Sequence, residues 1–505
     1  MKAVLVLFDS LNRLALSPYG GARALTPNFD RLARRTLRFD EHHVGSLPCM
    51  PARRDLLTGR LSFLHRSWGP LEPFDNAFPE LLHQAGVYSH LVTDHFHYWE
   101  DGGATYHNRY DSYEFVRGQE GDRWKAMVQP PWERLREQYH TRQFTTERRE
   151  YFSQNIINRE FMRADADFPS VQCFDHGLDF LARNGDADGW LLQIETFDPH
   201  EPFHAPARFR DALPTGWTGP IRDWPRYGRV DEMSDECEEL RANYYALVAL
   251  CDEQLGRLLD VFDARDLWRD TALVVTTDHG FLLGEHDFWA KNRQNLYREI
   301  VQVPLFLHDP RAPRAGACTA LTQTIDLAPT FLDLFSAADR RPAEMQGVSL
   351  LAARDGVASR PGVLFGYFGG AVNVTDGRTS YHRFPRDLLT QDIYQYTLMP
   401  THIFAPFTPE EMAEARLAGP LPFTKGARVL QVPVIDRSPF YNVYGPGALL
   451  ENETRLYSLT ADPGQTYPLQ NPELEARMAA LMASLMEQND APAEAFARLD
   501  LQRPA

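Results

Sequence analysis

The chain has 505 residues, of which 43% are hydrophobic, and it carries a formal net charge of -17 at pH 7. A chain of this size and composition can bury a large core and is long enough for two globular units, which excludes disorder as the default state. The negative charge repels nucleic acid and anionic membranes, so we expect neither as a partner. An anionic substrate would need a local group of cations.

The first apolar run predicts a strand rather than a leader segment. Residues 2–8 are apolar after the lysine, but no small-residue cleavage site of a secretory signal follows. We interpret the run as a buried strand and expect a cytoplasmic protein. The cysteines are too scattered for a disulfide framework or a zinc knuckle. They are Cys49, Cys173, Cys237, Cys251 and Cys318.

Four apolar runs are each followed by polar residues. The runs are residues 2–8, 87–92, 190–197 and 272–277. The polar residues that follow them are Asp9, Thr93-Asp94-His95, Asp198-Pro199-His200 and Asp278-His279-Gly280. With helical segments between the runs, the pattern predicts an α/β fold with a large, mostly parallel sheet flanked by helices. Because ligands of such sheets bind beyond the carboxyl ends of the strands, we expect the four polar clusters to share one crevice.

The rest of the chain divides into regions that differ in hydrophobic periodicity and composition. Helical periodicity predicts helices at residues 243–262, 321–335 and 472–488. Residues 100–168 are charged and aromatic, and we predict long loops and short helices there. After about residue 360 the pattern changes to turns among short strands. We therefore predict an α/β domain over residues 1–360 and a smaller C-terminal domain, an antiparallel sheet plus a helix, over residues 361–505.

One segment carries a recognisable motif. Cys49-Met50-Pro51-Ala52-Arg53, continuing to Thr58-Gly59, resembles the Cys-x-Pro-x-Arg signature of the sulfatase family. Pro51 suits the first position of a helix, so we expect residue 49 at a helix N-terminus, where amide groups and the helix dipole favour an anion. A merely buried cysteine before a helix is the alternative. The match of Pro51, Arg53 and Thr58-Gly59 together makes that alternative the weaker one.

The resemblance extends along most of the chain. Residues 26–33, 278–286 with Lys291, 325–330 and 456–463 match further landmarks of the family in the same order. The resemblance implies an alkaline-phosphatase-like α/β fold and makes residues 1–360 the catalytic domain. In the alanine of its signature and the lack of a leader, the sequence resembles cytosolic bacterial arylsulfatases and phosphonate monoester hydrolases.

The resemblance also implies a metal site and a modified residue. The positions that match the family's ligands are Asp9, Asp278 and His279, together with residue 49. It implies that a separate formylglycine-generating enzyme oxidises Cys49 to formylglycine, whose hydrated aldehyde attacks sulfur. Carboxylate oxygens with one imidazole suit a hard or borderline divalent ion. We expect calcium, with manganese or magnesium as alternatives.

Catalytic roles follow from the same resemblance. It makes Asp278 the base that activates the nucleophile, and it places Arg53 and Lys291 on the sulfate oxygens. It makes His200, alone or with Lys291, the acid that protonates the leaving group. Merely structural or solvated side chains are the alternatives for these positions.

The sequence departs from the family pattern in two places. Asp9 is followed by Ser10 where many sulfatases have a second aspartate, so we expect a weaker or different metal site. Around Thr93 the usual lysine is absent, and either His95 or His97 takes the place of the family's histidine. Thr93 is a candidate polar contact to the substrate.

The sequence thus predicts an arylsulfatase-like enzyme that releases inorganic sulfate and an alcohol or phenol from a small sulfate ester. Hydrolysis of phosphonate monoesters or phosphodiesters in the same site is one alternative. A non-catalytic binding protein is another, and the joint presence of the candidate residues argues against it. A homo-oligomer is compatible with the sequence.

Overall fold

An eight-stranded sheet lies at the centre of the computed structural model, which describes residues 1–144, 149–357 and 360–504. Of these strands, Leu305–His308 runs antiparallel to both neighbours, and the others run parallel to one another. The predicted α/β class is confirmed. Across the sheet the order is Gly316–Cys318, Leu37–Phe39, Leu305–His308, Thr271–Thr277, Lys2–Phe8, Trp190–Thr196, Tyr88–Thr93 and Ser112–Phe115.

Helices cover both faces of this sheet. Along Lys2–Phe8 alternate side chains point to opposite faces, so Val4 and Val6 join one core while Leu5 and Leu7 join the other. Every residue of that strand is buried, which explains its nearly continuous apolar sequence. The helices on the first face are Pro27–Ala33, Pro169–Asn184 and Ser234–Ala264. Those on the second are Cys49–Thr58, Phe78–Gln84 and Leu327–Leu334.

The three predicted helices are present, two of them with shifted ends, and the one predicted at 321–335 is observed at Leu327–Leu334. The helix predicted at residues 243–262 spans Ser234–Ala264. Its first turn is acidic, with Asp235 and Glu236, which suits the helix dipole but gives no apolar periodicity. The helix predicted at 472–488 is observed at Pro472–Gln488, where Asn471 accepts a hydrogen bond from the Leu474 N–H. The remaining helices are Ala104–His107, Trp132–Gln138, Arg149–Arg159, Ala207–Asp211, Arg298–Val301, Leu350–Arg354, Pro409–Met412 and Ala493–Ala497.

The prediction of only loops and short helices over residues 100–168 missed one strand. Ser112–Phe115 pairs in parallel with Tyr88–Thr93 and forms an edge of the central sheet. It is partly exposed along its length, so it lacks the apolar run by which the inner strands were recognised. Residues 145–148, part of the same predicted region, lie outside the described residues.

A second sheet follows in the C-terminal part. Its neighbouring strands are Arg455–Ser458, Thr379–Arg383, Val372–Thr375, Val363–Tyr367 and Ser46–Leu47. The helix Pro472–Gln488 packs on it through Met478, Met482 and Met486. Ser46–Leu47 comes from the N-terminal part and pairs in parallel with Val363–Tyr367. The strand directly before the signature segment is therefore held by the C-terminal sheet, and the division at residue 360 stays a prediction.

Smaller pairings complete the described strands. They are Gly228–Arg229 with Leu282–Leu283 and Phe288–Ala290, His42–His43 with Thr322–Gln323, and Tyr394–Thr397 with Arg416–Leu417 and Leu430–Pro433. Within the described ranges, every helix is too short or too polar to cross a membrane.

Candidate active site

Four inner strands end at the same level. Phe8 is opposite both Thr196 and Thr277, and Thr93 is opposite Glu195. Because these strands run parallel, the residues that follow them emerge at one edge of the sheet. The structure therefore brings the polar clusters after the strands together, as the strand pattern predicted.

The signature segment supplies the helix at this edge. Cys49 is the first residue of the helix Cys49–Thr58 and is buried, and Pro51 is the third residue rather than the first as expected. A proline is tolerated here because amides of the first helical turn have no partner within the helix. Gly59 ends the helix with a φ of 66°, in the left-handed region that favours glycine. Residue 49 thus lies at a helix N-terminus, as predicted.

Four predicted ligands form one buried group. The candidate ligand atoms of Asp9, Cys49, Asp278 and His279 all lie within 4.8 Å of one another. Cys49 Sγ is 3.2 Å from His279 Nε2 and 3.9 Å from Asp9 Oδ1. His279 Nδ1 lies 2.9 Å from the carbonyl oxygen of Gly280, which leaves Nε2 to face the group. If residue 49 were the hydrated aldehyde that the resemblance implies, a hydroxyl oxygen would take the place of Sγ, and the donor set would fit a hard or borderline divalent ion.

The two carboxylates of this group interact strongly. Burial and the negative charge of Asp9 raise the pKa of Asp278 to about 7. Burial also raises the pKa of Asp9, but the positive charges of Arg53 and His200 bring it well below its ordinary value. Burial and the charge of Asp9 raise the pKa of the Cys49 thiol. A divalent cation would offset the repulsion between the carboxylates, whereas an unmodified Cys49 would stay a thiol and react poorly.

Arg53 lies behind the ligand group and is fully engaged by carboxylates. Its Nη2 donates to Asp9 at 2.9 Å and its Nη1 to Asp278 at 2.6 Å. Its Nε donates to Glu195 at 2.6 Å. A sulfate oxygen would have to compete with these three partners. In the structure Arg53 therefore holds the ligand carboxylates in place.

Glu195 is a site residue that the sequence prediction missed. It is buried in Trp190–Thr196 and also accepts hydrogen bonds from Tyr98 OH at 3.0 Å and Gln193 Nε2 at 3.0 Å. The available signal was polarity, because Gln193 and Glu195 occupy alternate positions of an otherwise apolar strand and so share one face.

Lys291 extends its ammonium group to Cys49. Its Nζ is 3.5 Å from Cys49 Sγ and donates to Ser10 Oγ at 2.8 Å. Ser10 in turn donates to Asp9 Oδ1 at 2.8 Å. Ser10, the residue that departs from the family pattern, therefore links Lys291 to the metal-ligand group through hydrogen bonds instead of adding a carboxylate.

The structure places the two candidate histidines differently. His95 is fully buried, and its Nε2 lies 3.5 Å from Asp9 Oδ2. His97 Nδ1 lies 2.5 Å from Glu100 Oε2, and its ring packs edge-on against Trp68. Thr93 Oγ1 accepts a hydrogen bond from the backbone N–H of His95 at 3.0 Å. Of the two, His95 is therefore the one in contact with the ligand group.

His200 lies in a second buried group with Glu120 and Glu201, whose candidate ligand atoms are also within 4.8 Å of one another. Its ring packs against Phe197 with a centroid separation of 4.2 Å. Its charge acts on Asp9, so the two groups are neighbours at the same sheet edge. Glu120 and Glu201 were not predicted as site residues.

Comparison with known proteins shows to which family the chain belongs. The family model for sulfatases matches residues 2–337. The chain is 27% identical to a choline-sulfatase of Rhizobium meliloti over 425 residues, which cover 75% of this chain and 77% of that one.

Two solved structures have the same fold. One, in complex with its substrate D-glucosamine-2-N,6-O-disulfate, matches with a TM-score of 0.66 and 16% identity over 98% of this chain and 99% of that one. A phosphonate monoester hydrolase from Silicibacter pomeroyi matches with a TM-score of 0.56 and 20% identity over 76% and 87%. Since the family model covers well over half of the sequence, the chain belongs to the sulfatase family and is a hydrolase that acts on sulfate esters.

Proposed function

We propose that residue 49 is converted to formylglycine and that the site then hydrolyses small sulfate esters, releasing inorganic sulfate and an alcohol or phenol. The observation that carries this proposal is the placement of Cys49 Sγ. It lies at a helix N-terminus within 4.8 Å of the ligand atoms of Asp9, Asp278 and His279. Lys291 Nζ approaches the same atom to 3.5 Å.

Asp9, Asp278 and His279 would hold one divalent metal ion together with residue 49. When bound, the ion supplies Lewis-acid stabilisation of charge on the transferring group. Calcium is the expected ion, with manganese or magnesium as alternatives, because the donors are mainly carboxylate oxygens. We assign Arg53 a positioning role, since its guanidinium is held by the carboxylates of Asp9, Asp278 and Glu195.

The remaining residues move protons and place charge. Asp278 accepts the proton of the attacking hydroxyl, and Lys291 Nζ faces the sulfuryl oxygens. His200 protonates the departing oxygen. His95 removes the proton from the second hydroxyl of residue 49, which lets sulfate leave. Thr93, whose hydroxyl accepts from the backbone N–H of His95, is placed to make a polar contact to the substrate.

Co-production with a formylglycine-generating enzyme tests this proposal. Mass spectrometry of the peptide that contains residue 49 should show an aldehyde, and sulfate release from 4-nitrophenyl sulfate should rise with the converted fraction. Cys49→Ala should be inactive. Cys251→Ala, at a buried cysteine on the helix Ser234–Ala264, should keep the activity. Equal turnover by the unconverted thiol form would contradict the formylglycine mechanism.

A second candidate activity is hydrolysis of phosphonate monoesters and phosphodiesters. The observation in its favour is the charge at the site. Three carboxylates engage Arg53, so Lys291 is the side chain that would face a singly charged tetrahedral group of the substrate. These esters and sulfate monoesters each bring one negative charge.

We also propose a cytoplasmic location. What supports it is the first apolar run, Lys2–Phe8, which is a buried strand of the central sheet.

A further inference from the structure

Glu201 contacts His200, the proposed acid that protonates the leaving group. His200 Nδ1 lies 2.6 Å from the backbone carbonyl oxygen of Glu201 and 3.2 Å from its carboxylate Oε2. Glu201 is 2% exposed, so its carboxylate acts in a water-poor environment. On the other side, Tyr227 OH donates to Glu201 Oε1 at 2.5 Å. The Tyr227 phenol thus holds one oxygen of the carboxylate, and the other oxygen lies beside the imidazole at ion-pair distance.

These contacts determine which nitrogen of His200 can act. Because the backbone carbonyl oxygen of Glu201 accepts from Nδ1, the proton stays on Nδ1, and Nε2 is the ring nitrogen available to a substrate. To protonate an ester oxygen, Nε2 must also carry a proton, so the ring must become an imidazolium. Burial and the charge of Lys291 disfavour that form and lower the pKa of His200 well below its ordinary value. A neighbouring carboxylate is the usual compensation.

The pair can hold the required proton near neutral pH. Burial raises the pKa of Glu201 to about 8, so below that pH the Glu201–His200 pair carries one more proton than two fully deprotonated groups. The shared proton rests on Glu201 in the free site, and when it moves to the imidazole the carboxylate, 3.2 Å from Nδ1, becomes the counter-ion. The charged and titratable groups that act on His200 include Lys291, Asp9 and His279.

We propose that Glu201 is a positioning residue that orients His200 and stabilises the imidazolium form of His200. In this way Glu201 supports protonation of the leaving group. This inference rests on the proposed sulfate ester hydrolysis. As the hydroxyl oxygen of residue 49 bonds to sulfur, the bond from sulfur to the ester oxygen breaks and its electron pair stays on that oxygen. The oxygen takes the proton from His200 Nε2. His200 is left neutral, with its Nδ1–H still on Glu201, and water resupplies the proton.

The test is the leaving-group dependence of a Glu201→Gln variant. Alkyl and phenyl sulfates need protonation of a poor leaving group, whereas 4-nitrophenolate leaves with little help. We expect kcat/KM to fall about 10- to 100-fold for the poor leaving groups and less than about threefold for 4-nitrophenyl sulfate. Tyr227→Phe, which keeps the carboxylate but removes one of its donors, should show the same trend more weakly.

Controls separate this role from a structural one. Glu72→Gln changes another buried glutamate, which accepts from the N–H of Leu398, and should leave the leaving-group dependence unchanged. An equal loss on all esters in both variants would overturn the inference. So would loss of bound metal in Glu201→Gln, because it would make the Glu120–His200–Glu201 group a metal site. Inactivity of converted wild-type protein on every sulfate ester would instead overturn the proposed function, and this inference with it.

Discussion

Arg53 Nε donates to Glu195 Oε1 at 2.6 Å, which ties the signature helix to the strand Trp190–Thr196 at the level of the site. Both side chains are almost completely buried. The other two guanidinium nitrogens of Arg53, Nη2 and Nη1, donate to Asp9 and Asp278. Glu195 is therefore connected to the predicted metal ligands Asp9 and Asp278 through Arg53.

Glu195→Gln should weaken the site without removing a ligand. The amide cannot match the charge of Arg53, so the guanidinium should lose part of its fixed orientation. We expect kcat/KM or metal affinity to fall about 10- to 100-fold, as for other outer partners of metal ligands. Tyr98→Phe removes a different partner of Glu195 and should have a smaller effect. Wild-type metal affinity and turnover in Glu195→Gln would contradict the positioning role of this contact.

Asp278→Asn should lose both bound metal and activity. The substitution removes a charged ligand atom and the proposed base together, so we expect kcat to fall by about 100-fold or more. Metal content is measured by elemental analysis after dialysis. Asp252→Asn, a buried aspartate that accepts from the Asn28 and Phe29 amides, serves as the matched control and should keep its metal. A full metal site with near-normal turnover in Asp278→Asn would refute the assignment.

His95→Ala and His97→Ala should differ in effect. His95 Nε2 lies 3.5 Å from Asp9, whereas His97 is paired with Glu100. We expect His95→Ala to lower kcat by about 100-fold or more and His97→Ala by less than about tenfold. If His95 takes the proton that releases sulfate, its variant should accumulate sulfated residue 49, which mass spectrometry detects. The reverse order of the two variants would assign the role to His97.

Substrate charge should determine the substrate range. Three carboxylates engage Arg53, so Lys291 and the proposed divalent ion are the positive charges that would face the transferring group. With the proposed metal bound, we expect activity on aryl sulfates, phosphonate monoesters and phosphodiesters, with sulfates favoured. Phosphate monoesters, with nearly two charges, should be at least about tenfold poorer in kcat/KM. A matched 4-nitrophenyl series measures this, and a preference for the phosphate monoester would contradict the charge argument.

Asp55, on the signature helix, should make stability depend on pH. Burial raises its pKa to about 7 from the ordinary 3.8, so the folded protein keeps a proton that the unfolded chain releases. The stabilising contribution is fully present below about pH 4 and is lost as pH rises toward about 7.

The Asp55→Asn variant lacks this titration. The free energy of unfolding of wild type relative to that variant should fall by up to about 1.4 kcal/mol per pH unit in that window. Denaturant unfolding at several pH values measures the difference, with the exposed Asp186→Asn as control. A constant difference between wild type and Asp55→Asn across the window would contradict the prediction.

The sequence by itself determined the features whose cause is local. The strand Lys2–Phe8 and the helix Pro472–Gln488 were predicted at their observed bounds, because apolar run length and helical periodicity reflect the backbone of the segment itself. The residues that follow the strands were predicted to meet because parallel strands end at one sheet edge. The signature around Cys49 indicated the family, and the family match confirmed it.

Only the tertiary structure decided which side chains face one another. Glu195 meets Arg53 across 142 positions of the chain, and Ser46–Leu47 joins a sheet whose other strands lie beyond residue 360. Arg53 has three carboxylate partners, while its contact to the sulfate stays a prediction, and His95 rather than His97 reaches Asp9. Such pairings depend on strand order and side-chain direction, which a pattern along one chain does not encode, because they arise when distant segments pack together.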